Sequence, residues 1–208
     1  HQEQATLGGR AGNLSWSLLA NHMDSLGQPM SFANAATSTT VAGGGDTVVT
    51  GAHRDTNPKG AGRVIFGATS IDRTLQDIAK FRLAYDFTPD TRAAFTYALW
   101  RNDSYSDTQT YLRDAAGNPV WSGSVNIDGF KYTVGATAFA PTDRNEENRL
   151  MGLTLDSRLS DDWRVEAATS DYDTLADVTR TPTVAKPSAE TGGAGRTTFA
   201  DGTGWRNF

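Results

Sequence analysis

The side chains best suited to metal binding or acid–base chemistry are scattered along this sequence. The three histidines, His1, His22 and His53, have no spacing that would bring them to one metal ion. There is no cysteine, which excludes disulfides and thiolate ligands. The carboxylates of residues 143–147 (DRNEE) lack the spacing of an EF-hand loop and are interpreted as a solvated loop. The sequence therefore predicts no metal site and no cofactor.

Motifs for covalent catalysis and phosphate binding are also missing. Residues 43–46 (GGGD) lack the Lys and the Ser or Thr of a phosphate-binding loop and indicate a flexible loop tip. No Gly-x-Ser-x-Gly elbow occurs. The net charge is −5 and no basic tract is present, which argues against nucleic acid as a partner. We predict that the chain is not an enzyme.

Two groups of side chains could still contact a polar ligand. The first consists of charged residues that alternate with apolar ones: Lys80, Arg82, Asp86, Arg164 and Glu166. The second consists of aromatic residues in a predicted loop: Tyr105, Tyr111 and Trp121. Exposed aromatic rings can stack on a ligand, although loop packing explains them equally well. The charged group could form a polar track, or simply a solvated wall.

The elements that would position these groups are β-strands, because apolar residues recur at every second position. In residues 79–87 each odd position is apolar or aromatic, and 93–99 repeats the pattern after a Thr88-Pro89-Asp90-Thr91 turn. A second pair comprises a short strand at 4–7, a turn at 8–13 and a strand at 14–20. A third comprises 151–156 and 163–168, separated by a turn at 160–162. The prediction is about six strands in three hairpins.

The connections between hairpins are much longer than the turns within them. Residues 24–74, 104–148 and 174–208 are polar and rich in Gly, Asn, Asp and Thr. Long loops are uncommon in compact soluble domains, whereas transmembrane β-barrels alternate short periplasmic turns with long extracellular loops. We therefore predict an all-β fold, an antiparallel up-and-down segment of a transmembrane β-barrel. A soluble β-sandwich remains the alternative.

In a barrel, one side of each strand faces lipid and the other faces the lumen. The predicted lipid-facing residues are Phe81, Leu83, Tyr85, Phe95, Tyr97, Leu99, Leu153 and Leu155. The predicted lumen-facing residues are Lys80, Arg82, Asp86, Arg164 and Glu166. The aromatic residues near the short turns, where an interfacial girdle would lie, are Trp16, Tyr85, Phe87 and Trp163.

The loop predicted at 104–148 has turn signals of its own. Residues 111–113 and 120–121 flank a turn at 115–118. Residues 125–127 and 130–132 flank Asp128-Gly129, a strong signal for a two-residue hairpin turn. Both are predicted as extramembrane hairpins.

Several stretches resemble the barrel of TonB-dependent outer-membrane receptors. They are residues 14–25 (LSWSLLANHMDS), 27–32 (GQPMSF), 83–89 (LAYDFTP), 111–120 (YLRDAAGNPV) and 201–205 (DGTGW). The resemblance implies an outer-membrane transporter of a Gram-negative bacterium that takes up ferric siderophores or a similar scarce nutrient. It also implies, as partners, outer-membrane lipid, a plug domain and the TonB system.

The sequence departs from that family in two respects. It has no TonB-contacting box and no plug, and it offers far fewer strands than the roughly 22 of a plugged outer-membrane transporter. We therefore expect residues 1–208 to be one partial barrel domain that is completed by the remainder of the barrel. The terminal Phe208 is interpreted as coincidental, because residues 204–208 do not alternate. The alternative function is that of a soluble secreted β-sandwich or an adhesin-like binding module.

Overall fold

The computed structural model describes residues 1–180 and 203–206. All regular elements in these residues are β-strands, and their chain order is as follows: β1 (Gln2–Ala11), β2 (Leu14–Ala36), β3 (Thr47–Val48), β4 (His53–Thr56), β5 (Gly62–Thr88), β6 (Thr91–Thr110), β7 (Gly123–Ile127), β8 (Phe130–Val134), β9 (Thr142–Arg158), β10 (Arg164–Arg180) and β11 (Thr203–Arg206). The predicted all-β class is confirmed.

The main sheet has eight strands in the order β1-β2-β5-β6-β9-β10-β11, with β4 also paired to β5. Every pairing in it is antiparallel. The six long strands are those predicted, so the expectation of three hairpins holds for them, while β4 and β11 are additional. In the described residues the sheet does not close on itself, because β1 lies at one end of the order and β11 at the other.

The long strands extend much further from the short turns than the alternation predicted. β2 continues to Ala36, β5 begins at Gly62, β6 reaches Thr110 and β10 reaches Arg180. The predicted loops at 24–74 and 104–148 therefore contain long strand segments, and β10 extends into the loop predicted from 174. Antiparallel backbone hydrogen bonds continue where the regular alternation of apolar and polar side chains ends, and period-two alternation does not detect such segments.

All three short turns lie at the same end of the sheet, since each joins two neighbouring strands of the meander. The first is tighter than predicted: β1 extends to Ala11, so only Gly12 and Asn13 form the connection, and Gly12 has φ 58°. Glycine adopts this left-handed conformation without the steric cost of a Cβ atom. The other two turns occupy the predicted positions, at Pro89-Asp90 and at 159–163.

The opposite end of the sheet carries a compact unit that we call the cap. Its sheet has the order β3-β7-β8, with β3 parallel to β7. The predicted hairpin at Asp128-Gly129 is confirmed as β7–β8, and both turn residues have positive φ, 52° and 86°. The predicted hairpin at 111–121 is reduced to a single bridge between Arg113 and Pro119.

The cap has its own hydrophobic core, packed against the far end of β5. The buried members are Val49, Val64, Phe66, Leu112, Trp121, Val125, Ile127, Tyr132, Val134 and Phe139. Phe139 and Leu112 are completely buried. The two long connections thus fold together instead of forming separate flexible loops.

Within residues 1–180 and 203–206, no helix has the length and apolar character to cross a membrane. Parts of three expectations lie outside the described residues. They are the end of the loop predicted at 174–208, the first part of the 201–205 resemblance, and the interpretation of Phe208.

Candidate functional site

The candidate site is the part of the main sheet nearest the short turns, and it has two different faces. Strand register places the eight predicted lipid-facing residues on one side. Phe81 lies opposite Tyr97, Leu83 opposite Phe95, and Phe95 opposite Leu153. Side chains of directly paired residues point to the same face. We call the apolar part of this side, next to the short turns, the apolar band.

The apolar band continues across β1 and β2. Leu83 is paired with Trp16 and Phe81 with Leu18, and Leu18 is paired in turn with Leu7. Many of its large side chains are exposed: Leu7 at 62%, Leu153 at 51%, Leu18 at 45%, Tyr85 at 44% and Phe95 at 38%. A contiguous apolar surface of this kind marks an interaction face.

Away from the short turns, the apolar band ends at a row of ionic pairs on the same face. His22 Nδ1 is 2.7 Å from a carboxylate oxygen of Asp77, and these residues are next on this face after Ala20 and Ala79. Arg101, next after Leu99, has its Nε 3.4 Å from Glu147. Arg149, next after Met151, pairs with Asp173 on β10. On these strands the face thus changes from apolar to charged between one residue and the next residue on the same face, two positions along the chain.

The charged boundary of the apolar band is staggered across the sheet. The strand pairs align Ala20 of β2 with Arg149 of β9, so the apolar part of β9 ends nearer the turns. At the turn boundary, Leu14 aligns with Leu155, so the band ends at the same level on β2 and β9. The charged boundary is therefore oblique to the strands.

Aromatic residues gather at the turn boundary. Tyr85 and Phe87 make an edge-to-face contact with their ring centroids 5.0 Å apart. Phe87 is 59% exposed, and Trp163, in the β9–β10 turn, is 71% exposed. Apolar rings held in solvent-accessible positions at one level of a sheet are typical of an interface between water and an apolar phase.

The opposite side, which we call the polar face, carries all five predicted lumen-facing residues. Their positions alternate with those of the apolar band. Near the turns, Asp86 pairs with Arg10 at 2.7 Å and with Arg92 at 3.6 Å. Arg164 contacts Asp156 at 2.5 Å and Glu166 at 3.2 Å. Lys80 and Arg82 form no ion pair within the described part of the chain.

The three predicted ligand-contacting aromatics do not form one site. Trp121 is only 4% exposed and its ring packs edge-to-face on Phe139, so the exposed position expected for ligand stacking is wrong. Tyr105 lies within β6 and not in a loop. Tyr111 is half-buried, with its ring against His53 at 5.6 Å. Cap folding accounts for Trp121, because its indole fills the apolar core.

The carboxylates of residues 143–147 lie in β9 and not in a loop, which corrects the earlier interpretation. No group of three or more His, Cys, Asp or Glu residues in the described ranges is arranged to hold a metal ion. The cap core was missed at the sequence level. Its signal was the unusual density of apolar residues at 120–139 within a segment interpreted as a polar loop.

No family model, curated protein or solved structure matches this chain.

Proposed function

We propose that the six long strands form part of the wall of an outer-membrane β-barrel, with the apolar band against lipid and the polar face towards the lumen. The observation that carries the proposal is the continuous, exposed apolar band in register across β1, β2, β5, β6 and β9. In water this surface would be unfavourable, whereas a bilayer removes it from water at no polar cost.

The dimensions of the band support this proposal. On β5 it runs from Ala79 to Phe87, which is close to the roughly 9–11 residues that a tilted strand needs to cross a membrane. The oblique charged boundary is the kind expected when tilted strands cross a flat apolar layer. Ion pairs at one boundary and aromatic rings at the other match the two polar interfaces of a bilayer.

The open edges of the main sheet require further strands if this face lies in a membrane. Along the apolar band, the outer edge of β1 has no strand partner among the described residues. Backbone N–H and C=O groups without partners are strongly unfavourable in lipid. The wall would therefore be completed by further strands, so that it closes into a barrel.

We propose that the complete barrel is a TonB-dependent transporter that takes up a ferric siderophore or a similar scarce nutrient. This step rests on the resemblance of residues 14–25, 27–32, 83–89, 111–120 and 201–205 to that family. The cap would lie on the extracellular side, because the short turns of such barrels are periplasmic. A plug domain and the TonB system would be its partners in energy transfer.

The test is a blot of outer-membrane fractions from the source cells with an antibody against residues 104–148, with boiled and unboiled samples. We expect a band several times heavier than 22.3 kDa that shifts on boiling, as closed barrels do. Disruption of the gene should also lower uptake of radioactive iron from iron-poor medium. A soluble 22.3 kDa band that boiling leaves unmoved would instead indicate the adhesin-like or β-sandwich module.

A further inference from the structure

The polar face has an uneven distribution of paired and unpaired charge. Its carboxylates near the turns are already engaged: Asp86 with Arg10 and Arg92, and Asp156 and Glu166 with Arg164. Lys80 and Arg82, on the same face of β5, have no carboxylate partner among the described residues. Excess positive charge therefore collects at this place in a chain whose net charge is −5.

Both cations are exposed to solvent. Arg82 lies between Ser17 on β2 and Thr96 on β6, and Lys80 lies between Leu19 on β2 and Ala98 on β6. The small partners of Arg82 leave its guanidinium group room to contact a solute.

A shallow cavity of 640 Å³ lies beside Arg82. Arg82, Arg92 and Thr154 are among its lining residues, whereas Lys80, two residues from Arg82 on β5, lies outside the lining. Asp156 and Glu166 also line the cavity, and both form ion pairs with Arg164. Cavities of about 300–1,000 Å³ suit small molecules rather than polypeptide segments.

We propose that Arg82 and Arg92 in this cavity, together with Lys80 next to Arg82 on the same face, form a binding site for a small oxyanionic solute that carries two or more carboxylate or phosphate groups. Guanidinium groups bind such oxyanions through paired N–H donors, and unpaired cations on a shared face raise the local concentration of anions. If the sheet is a barrel wall, which is the proposed function, the site lies in the lumen and favours anionic cargo.

The probe is benzene-1,3,5-tricarboxylate, titrated calorimetrically into the full chain at low ionic strength, with the uncharged triamide as control. We expect the trianion to bind and the triamide not to bind. Arg82→Gln and Lys80→Gln should each weaken binding roughly fivefold, since each removes one cation. Lys59→Gln, in the connection before β5, should leave binding unchanged. Added salt should weaken binding in the wild type.

Equal binding of trianion and triamide, or full binding by an Arg82→Gln/Lys80→Gln double variant, would overturn the proposal. So would a deca-aspartate peptide that binds while the tricarboxylate does not, because this would indicate an acidic polypeptide as occupant. Circular dichroism of each variant checks that the sheet is retained. The titration works in buffer, detergent or lipid, so failure of membrane insertion and failure of anion binding are separate results.

Discussion

Phe95 on β6 lies directly opposite Leu153 on β9, and both side chains are exposed on the apolar band. The adjacent pair, Thr96 and Gly152, lies on the polar face. One residue step along the same two strands therefore separates a site that we assign to lipid from a site that we assign to the lumen. This relationship gives the sharpest test of the proposed orientation.

Phe95→Arg should block membrane assembly, whereas Thr96→Arg should be tolerated. An arginine on the lipid side near midplane costs about 2–4 kcal/mol, while a lumen-facing arginine stays hydrated. The measurement is the fraction of each variant that floats with lipid vesicles after folding. Equal flotation of the two variants would contradict the assignment of the faces.

Trp121→Ala should destabilise the cap by about 3–5 kcal/mol, because the substitution leaves a large cavity beside Phe139. Hydrogen exchange measured by mass spectrometry should show faster exchange in β7 and β8. The turn-proximal parts of β5 and β6 should exchange as in the wild type. Val48→Ala is the control, since Val48 is 61% exposed. Uniform acceleration across the whole sheet would show that the cap and the main sheet unfold as one unit.

Gly51→Ala should also destabilise the cap, for a backbone reason. Gly51 has φ 89°, and a Cβ atom there would lie 2.0 Å from the carbonyl oxygen of Tyr111. Positive φ and this overlap together should cost at least about 2 kcal/mol. Gly44→Ala is the matched control, because nothing lies within 4 Å of its added Cβ. Urea-induced unfolding followed by hydrogen exchange in β7 and β8 should separate the two variants, and equal midpoints would refute this explanation.

The cap should lose stability in acid through Asp46. The N–H of Gly43 donates a hydrogen bond to the Asp46 carboxylate, and this bond, with smaller contributions from Ser124 and Lys131, lowers the carboxyl pKa below its ordinary 3.8. Because the folded pKa is the lower one, the stabilisation is complete above pH 3.8 and is lost as pH falls through the folded value.

The measurement is the thermal unfolding midpoint of the cap between about pH 2.5 and about pH 7. This range lies on both sides of the pKa of a free Asp, which is roughly 3.9. Asp46→Asn should lower the midpoint at neutral pH and flatten its fall in acid. A wild-type acid slope that Asp46→Asn leaves unchanged would assign the dependence to other carboxylates. Asp114 is the natural comparison, since hydrogen bonds from Asn118 lower its pKa as well.

The sequence by itself determined the strands next to the short turns. Residues 79–87 and 93–99 alternate so regularly that only a strand places their apolar side chains on one face, and Pro89-Asp90 marks the turn between them. The Asp128-Gly129 hairpin could also be predicted from local sequence, because its turn needs positive φ values and Asp and Gly adopt them readily. Such features depend on neighbouring residues alone.

Tertiary structure alone decided the rest. The outer halves of β2 and β5 lack a regular apolar alternation, and their pairing depends on a partner strand tens of residues away. In the sequence, Trp121 and Phe139 lie in segments predicted as loops. They are buried only because the two long connections fold over the end of the sheet. Lys80 and Arg82 could be identified as unpaired only from the structure, because strand register pairs the nearby carboxylates with other arginines. Long-range register and burial are not encoded in any local pattern.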